Sequence, residues 1–361
     1  MWKRWLVLVM FLFVVACSPN EEETIPCEDP MVLVDGVCEM PEDEPEPNPV
    51  CDDGMEWTDE GCRIIETEEP PVCEEGFTLV EDQCVPNEMD ENQPNEQGFW
   101  ELEHNGRTRE YLYYEPEDLA PEAPLVMVLH GFTSNAYNIQ ELSDFDSLAD
   151  QEGFAVVYPQ GWADPAPHWN AELTFTAIDD VGFLVALVEH LQLTYDLHPE
   201  HVFVAGFSNG GFMAYTLACR APETFLGMAS VSGLMSGITW DTCLSPDPIG
   251  LLHVHGTADL VVPSDGTMTT FGGWGGAPEI EAMLLRWREI NQTWEATTVV
   301  VNDITTGYHY ESTTGHPLWF YEIDGYPHAW PGPNDGVLEL DEGFEATELI
   351  WTFFEGLLTN D

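Results

Sequence analysis

Basic side chains are nearly absent from this 361-residue chain: eight lysines and arginines stand against 67 aspartates and glutamates, and Lys3 is the only lysine. The formal net charge is -59. The imbalance is spread along the chain, with 27 acids beside Arg63 in residues 18–97 and 40 beside five arginines in residues 98–361. Such a surface repels nucleic acid and anionic lipid headgroups, which excludes both as partners of the acidic surface. Self-repulsion at low ionic strength is screened in salt, so the composition reads as adaptation to a saline exterior, with calcium binding as the alternative. Long apolar runs are also missing: beyond the first seventeen residues no segment is long and apolar enough to cross a bilayer. The C-x2-C spacing of zinc sites is absent too, which argues against a zinc module, and none of the motifs present requires a metal or organic cofactor.

What is present begins with an export signal. Met1-Trp2-Lys3-Arg4 is a short basic start, Trp5 to Phe13 is unbroken apolar sequence, and Val14-Val15-Ala16-Cys17 closes it. This ending resembles a bacterial lipobox, which implies a signal peptide of residues 1–16 and lipidation of Cys17 at the head of a tether, residues 17–26. The alternative is a plain secretory signal cleaved elsewhere. Ser18 after the cysteine resembles sorting to the outer membrane. The expected location is therefore exported and lipid-anchored to the cell envelope or surface.

Residues 27–97 hold three copies of a C-x10-C repeat: Cys27 to Cys38, Cys51 to Cys62 and Cys73 to Cys84. Each has two acids after its first cysteine, then Pro or Gly, then an apolar residue, and acidic proline-rich linkers join the copies. A unit this small cannot bury a core and needs a cross-link, and an oxidising compartment permits one. Six cysteines allow fifteen pairings. Pairing within each repeat (Cys27–Cys38, Cys51–Cys62, Cys73–Cys84) is favoured because the repeat is what recurs, although Cys62 and Cys73 are equally spaced. A spacer is the favoured role, and a ligand-binding module is the alternative.

Residues 98–361 change character. Apolar strands at Leu125–His130, Ala155–Tyr158, Ala229–Ser232 and Leu251–His255 alternate with helix patterns at 180–193, 278–291 and 344–358. This predicts an α/β domain with a mostly parallel central sheet, helices on both faces and no large cap. Functional groups then gather at the carboxyl ends of the strands. One such end is Gly206-Phe207-Ser208-Asn209-Gly210-Gly211, between the strand pattern 201–205 and a helix pattern from Phe212. Strand, Gly-x-Ser-x-Gly and helix together are the context of a nucleophile elbow, which lifts Ser208 above the sheet. Asp259, in the turn after the 251–255 strand, supplies the acid, with Asp265 as competitor. His328, in the loop before the last helix, supplies the base, against His253, His255, His309 and His316. The order Ser…Asp…His matches α/β-hydrolases. The backbone N–H groups of Phe132, after Leu129-His130-Gly131, and of Asn209 are the expected oxyanion donors, with His130 ordering the loop.

Leu129-His-Gly-Phe, Tyr158-Pro-Gln-Gly-Trp162, Trp169-Asn170, Asp179-Asp-Val-Gly-Phe183, the Ser208 elbow, His255-Gly-Thr-Ala-Asp259 and His328-Ala-Trp-Pro-Gly332 occur in that order. In this the chain, over roughly residues 99–358, resembles secreted α/β-hydrolases of the polyhydroxybutyrate depolymerase-like and feruloyl esterase-like type. The resemblance implies a serine carboxylic-ester hydrolase with Ser208, Asp259 and His328 as triad, and a disulfide Cys219–Cys243. Tyr326-Pro327 departs from the glycine that usually precedes the histidine.

An uncapped site suits a bulky or polymeric ester. Trp162, Trp169, Trp274, Trp330 and Phe271, all near strand ends, are candidates for an aromatic cleft, and the Gly272-Gly-Trp-Gly-Gly276 loop for its gate. A monomer is expected. Two other readings stand beside the esterase: a prolyl-oligopeptidase-type serine peptidase, and a surface-binding lipoprotein whose hydrolase domain is vestigial.

Overall fold

The computed structural model describes residues 93–244, 246–270, 273–334, 337 and 344–359, and the backbone of six short strands between residues 32 and 86. The chain divides into two compact units, Met1–Asn87 and Glu88–Asp361.

In the first unit, β1 (Val32–Val34) pairs with β2 (Val37–Glu39), β3 (Met55–Thr58) with β4 (Gly61–Ile64), and β5 (Phe77–Val80) with β6 (Gln83–Pro86), each antiparallel. Two residues separate the strands of every pair, the spacing of a tight hairpin. The register repeats as well, with Leu33 opposite Cys38, Trp57 opposite Cys62 and Leu79 opposite Cys84. Cys17, Cys27, Cys51 and Cys73 lie outside the described residues, and with them the lipidation and the three pairings expected within the repeats.

The second unit is built on a ten-stranded sheet. Its strands are β7 (Trp100–His104), β8 (Arg107–Tyr114), β9 (Leu125–Leu129), β10 (Ala155–Pro159), β13 (Val202–Phe207), β14 (Gly227–Val231), β15 (Gly250–Gly256), β16 (Ala296–Val300), β17 (Thr305–Tyr310) and β18 (Leu318–Ile323). A separate two-residue pair, β11 (Trp162–Ala163) and β12 (Pro167–His168), stands outside it. Six strands in the order β18-β15-β14-β13-β9-β10 are parallel, flanked by antiparallel β17-β16 on one side and β8-β7 on the other.

Burial on both faces explains why the central strands read as continuous apolar runs. Leu125, Met127 and Leu129 of β9 face one core, with α3 (Asp180–Tyr195), α4 (Asn209–Arg220) and α6 (Ile280–Asn291). Val126 and Val128 face the other, with α1 (Ala136–Ser143), α2 (Phe145–Glu152) and α7 (Ala346–Leu358). The short α5 (Gly237–Thr242) follows β14. Ile280, Leu284 and Trp287 of α6 are buried, as their spacing predicts. Among the described residues no helix is long and apolar enough to cross a membrane.

Candidate active site

Between β13 and α4 the whole turn is made by one residue, Ser208, at φ 53 and ψ -116. Few side-chain-bearing residues adopt that backbone, which costs about 1–3 kcal/mol and persists only where the surroundings enforce it. The flanking glycines show how. A Cβ on Gly206 would stand 2.2 Å from the carbonyl of Gly210, and one on Gly210 would stand 2.1 Å from the carbonyl oxygen of Leu129. Strand, helix and the β9 loop therefore approach as only glycine allows. The Ser208 N–H is held by the Val231 carbonyl at 2.9 Å.

The other two groups reach Ser208 from separate strand ends. His328 Nε2 lies 2.9 Å from Ser208 Oγ, and His328 Nδ1 lies 2.6 Å from Asp259 Oδ2. The Val261 and Val262 N–H groups donate to Asp259 Oδ1 at 2.9 and 2.8 Å. The Ala258 N–H donates to the Tyr326 carbonyl, which ties the acid turn to the histidine loop. Burial pushes the Asp259 carboxyl up, but the hydrogen bonds from His328 and Val262 and the nearby imidazoles outweigh it and hold it below the usual carboxylate range. Asp265, the competing acid, turns to Thr267 instead. His309 stacks on Trp319 and pairs with the Tyr321 hydroxyl. His253 and His255 are buried behind Asp259.

The expected oxyanion donors, Phe132 and Asn209, adjoin Ser208: Asn209 follows it in the chain, and Phe132 follows Gly131, which runs against it. Asn209 opens α4, so its N–H has no partner within the helix. The Thr133 and Ser134 N–H groups go to Pro167 and Gly131, which leaves the Phe132 N–H without an acceptor among the described residues. A Cβ on Gly131 would lie 3.5 Å from Ser208 Cβ, so this loop runs directly against the serine. His130 orders it. The Gly161 N–H donates to His130 Nε2 at 2.9 Å, which places the ring proton on Nδ1, donating to the Gly131 carbonyl at 2.8 Å. Burial lowers the His130 pKa to about 4 and keeps the ring neutral.

Two of the four tryptophans expected in the cleft belong to the core. Trp169 is fully enclosed, and its indole N–H donates to the His130 carbonyl at 3.0 Å. Trp330 is buried beside Phe145 and Phe207 and donates to Thr347 Oγ1 at 3.1 Å. With rings covered and N–H groups bonded inside, neither offers a face to a substrate. Trp162 is half-buried beneath the Arg107 guanidinium and lines a cleft of about 430 Å³ with Asn135, Gln160 and Pro167. Trp274 packs between Phe212 and Phe132. Phe271 lies outside the described residues.

Trp274 and Phe175 both pack on Phe132, the residue after Gly131, with Phe132 40% and Phe175 42% exposed. The Thr174 N–H donates to the Gly273 carbonyl and joins the loops that carry Phe175 and Trp274. Nothing in the sequence marks Phe175, since Thr174-Phe175-Thr176 carries no motif. A further unforeseen support is the buried pair Arg109–Asp180, at 2.7 Å, whose aspartate also accepts the Asn170 N–H. Cys219 and Cys243 form the disulfide that the resemblance implied, joining the end of α4 to the residue after α5. Among the described residues no group of three or more His, Cys, Asp or Glu side chains is arranged to hold a metal ion.

Residues 109–250 match the family described as Esterase PHB depolymerase. The chain is 37% identical over 172 residues to a putative esterase, NocK, of Nocardia uniformis subsp. tsuyamanensis, covering 45% of this chain and 49% of that one. It is 33% identical over 169 residues to feruloyl esterase C of Emericella nidulans, covering 45% and 58%. It thus spans about half the length of these curated relatives. Among solved structures, acetyl xylan esterase from Aspergillus awamori superposes with a TM-score of 0.54 at 14% identity, over 72% of this chain and 99% of that one. The second unit therefore has the α/β-hydrolase fold, and within it residues 109–250 match the Esterase PHB depolymerase family.

Proposed function

We propose that this protein is a serine carboxylic-ester hydrolase that works through an acyl-enzyme on Ser208. One observation carries the reading: the continuous contact from Ser208 Oγ through His328 to Asp259, at 2.9 and 2.6 Å. In the proposed reaction Ser208 Oγ attacks the ester carbonyl carbon while His328 Nε2 takes its proton. Asp259 stabilises the imidazolium, and the Phe132 and Asn209 N–H groups hold the tetrahedral oxyanion, at about 3 kcal/mol each. Collapse expels the alcohol with the proton from His328. Water, deprotonated by the same imidazole, then releases the acid and frees the serine.

The exposed Phe132 and Phe175 and the half-buried Trp274 favour an ester with an apolar or aromatic acyl group, and an uncapped site accepts one attached to a polymer. The names of the relatives point the same way, to feruloyl, hydroxyalkanoate and acetylated xylan esters. The signal-like residues 1–16 and Cys17 support export and lipid anchoring in the cell envelope, with residues 27–97 as a disulfide-held spacer and the hydrolase working as a monomer. Product analysis on polyhydroxybutyrate, methyl ferulate, acetylated xylan and short-chain p-nitrophenyl esters at high salt tests the proposal. Release of acid from at least one class is expected. Hydrolysis of prolyl peptides alone would overturn it.

A further inference from the structure

His253 and His255 of β15 take no part in the array described above, yet they lead to it. Both are buried and face the same side of the strand, with rings 5.3 Å apart and nearly parallel. Their contacts form a chain. His255 Nε2 lies 2.9 Å from the Val262 carbonyl oxygen, His253 Nε2 lies 3.2 Å from His255 Nδ1, and the Tyr215 hydroxyl lies 2.8 Å from His253 Nδ1.

Only one assignment of protons satisfies every link with neutral rings. A carbonyl oxygen can only accept, so His255 Nε2 carries a proton and donates it. Its Nδ1 is then an acceptor, which requires the proton of His253 on Nε2. His253 Nδ1 accepts in turn, and the Tyr215 hydroxyl donates. Burial lowers the pKa of both histidines and favours these neutral forms.

The chain ends where the acid is held. His255 Nε2 also lies 3.6 Å from Asp259 Oδ2, the oxygen that faces His328. Val262, whose carbonyl His255 binds, donates its own N–H to the other oxygen of Asp259. The chain begins on α4, the helix that directly follows Ser208. It thus joins the nucleophile's helix to the acid's turn through the interior.

We infer that Tyr215, His253 and His255 form a directional hydrogen-bond relay that positions the Asp259 carboxylate, with His255 as the positioning residue next to it. The role rests on the ester-hydrolase reading. The relay fixes the side chain at both oxygens: one through the turn that His255 pins, the other through the imidazole beside it. Without His255 the turn keeps its sequence but loses its inner anchor, and the imidazole of His328 loses its fixed partner.

The test compares the full chain with His255→Phe, His255→Gln and Tyr215→Phe on p-nitrophenyl acetate at high salt. His255→Phe is expected to lower kcat about tenfold to hundredfold with KM unchanged, the scale on which misplaced catalytic groups lose rate. His255→Gln restores most of it, because its carboxamide N–H can reach the Val262 carbonyl. Tyr215→Phe keeps the ring and gives a smaller loss in the same sense. An unchanged kcat in His255→Phe, or a change confined to KM, overturns the proposal. Nitrogen-15 NMR of histidine-labelled protein decides it independently of activity: Nε2-protonated neutral rings at both positions are expected, and an Nδ1-protonated His255 overturns the relay. A chain that hydrolyses no ester would sink the functional reading, while the tautomer measurement would still judge the relay.

Discussion

The carboxamide of Asn209 grips the backbone of Trp169 on both sides: its Oδ1 accepts the Trp169 N–H at 2.7 Å, and its Nδ2 donates to the Trp169 carbonyl at 3.1 Å. Because the Trp169 indole in turn holds the His130 carbonyl, Asn209 is linked through one buried tryptophan to the loop that carries Phe132, the other proposed oxyanion donor. The Asn209 side chain is engaged in structure, which leaves its main-chain N–H for the proposed reaction. Asn209→Ala should therefore lower kcat about tenfold or more at nearly constant KM, as expected when a transition-state donor is misaligned. Steady-state kinetics on a p-nitrophenyl ester checks this. A rise in KM alone would count against the linkage.

Glycine substitutions separate enforced contact from open space. Gly206→Ala places a methyl 2.2 Å from the Gly210 backbone, and the turn must shift, at about 3 kcal/mol or more. Gly356, exposed on α7, has nothing within 4 Å of an added Cβ, so Gly356→Ala should stabilise by about 1 kcal/mol through helix propensity. Urea unfolding of both variants measures the contrast. Equal stabilities would contradict the close packing of the elbow.

What the sequence reveals of this site depends on where each signal resides. Ser208, Asp259 and His328 lie in turns or loops after apolar strand patterns, so strand-end logic marks them as candidates, and the structure brings their side chains together. Trp169 and Trp330 were misplaced because position near a strand end does not reveal which way an indole turns. Both point inward, satisfied by His130 and Thr347. The edge strand β16 was also illegible, since its residues are almost all exposed and carry no apolar alternation. The helix α1 depends on an Asn135 cap, whose side chain accepts the Asn138 N–H, rather than on a strong apolar stripe. The relay from Tyr215 is not legible in the sequence because Tyr215 on α4 and His253 on β15, 38 residues apart, meet only once the helix packs on the sheet.

Acid should weaken the fold through its buried neutral histidines. The folded-state pKa of His130 is about 4, below its ordinary value of 6.5, so the unfolded chain binds the extra proton first. Its stabilising contribution is therefore full above about pH 6.5 and is lost as pH falls from there toward 4, at up to about 1.4 kcal/mol per pH unit. His253 and His255 are shifted in the same direction and add to the slope. Urea unfolding of wild type and His130→Gln at high salt between pH 7 and pH 5 isolates one proton's share. The stability difference between them should shift against the wild type as pH falls. A difference constant with pH would contradict the neutral, buried assignment.

The central claim is that Ser208 carries the acyl group. The most direct measurement is rapid-quench mass spectrometry of the wild-type chain and Ser208→Ala with p-nitrophenyl acetate at high salt, alongside steady-state rates. The account predicts a transient acetyl adduct on the peptide containing Ser208, and a loss in the variant of both the adduct and about 10⁴-fold or more of the hydrolysis rate. An adduct on another residue, or wild-type turnover by Ser208→Ala, would contradict it.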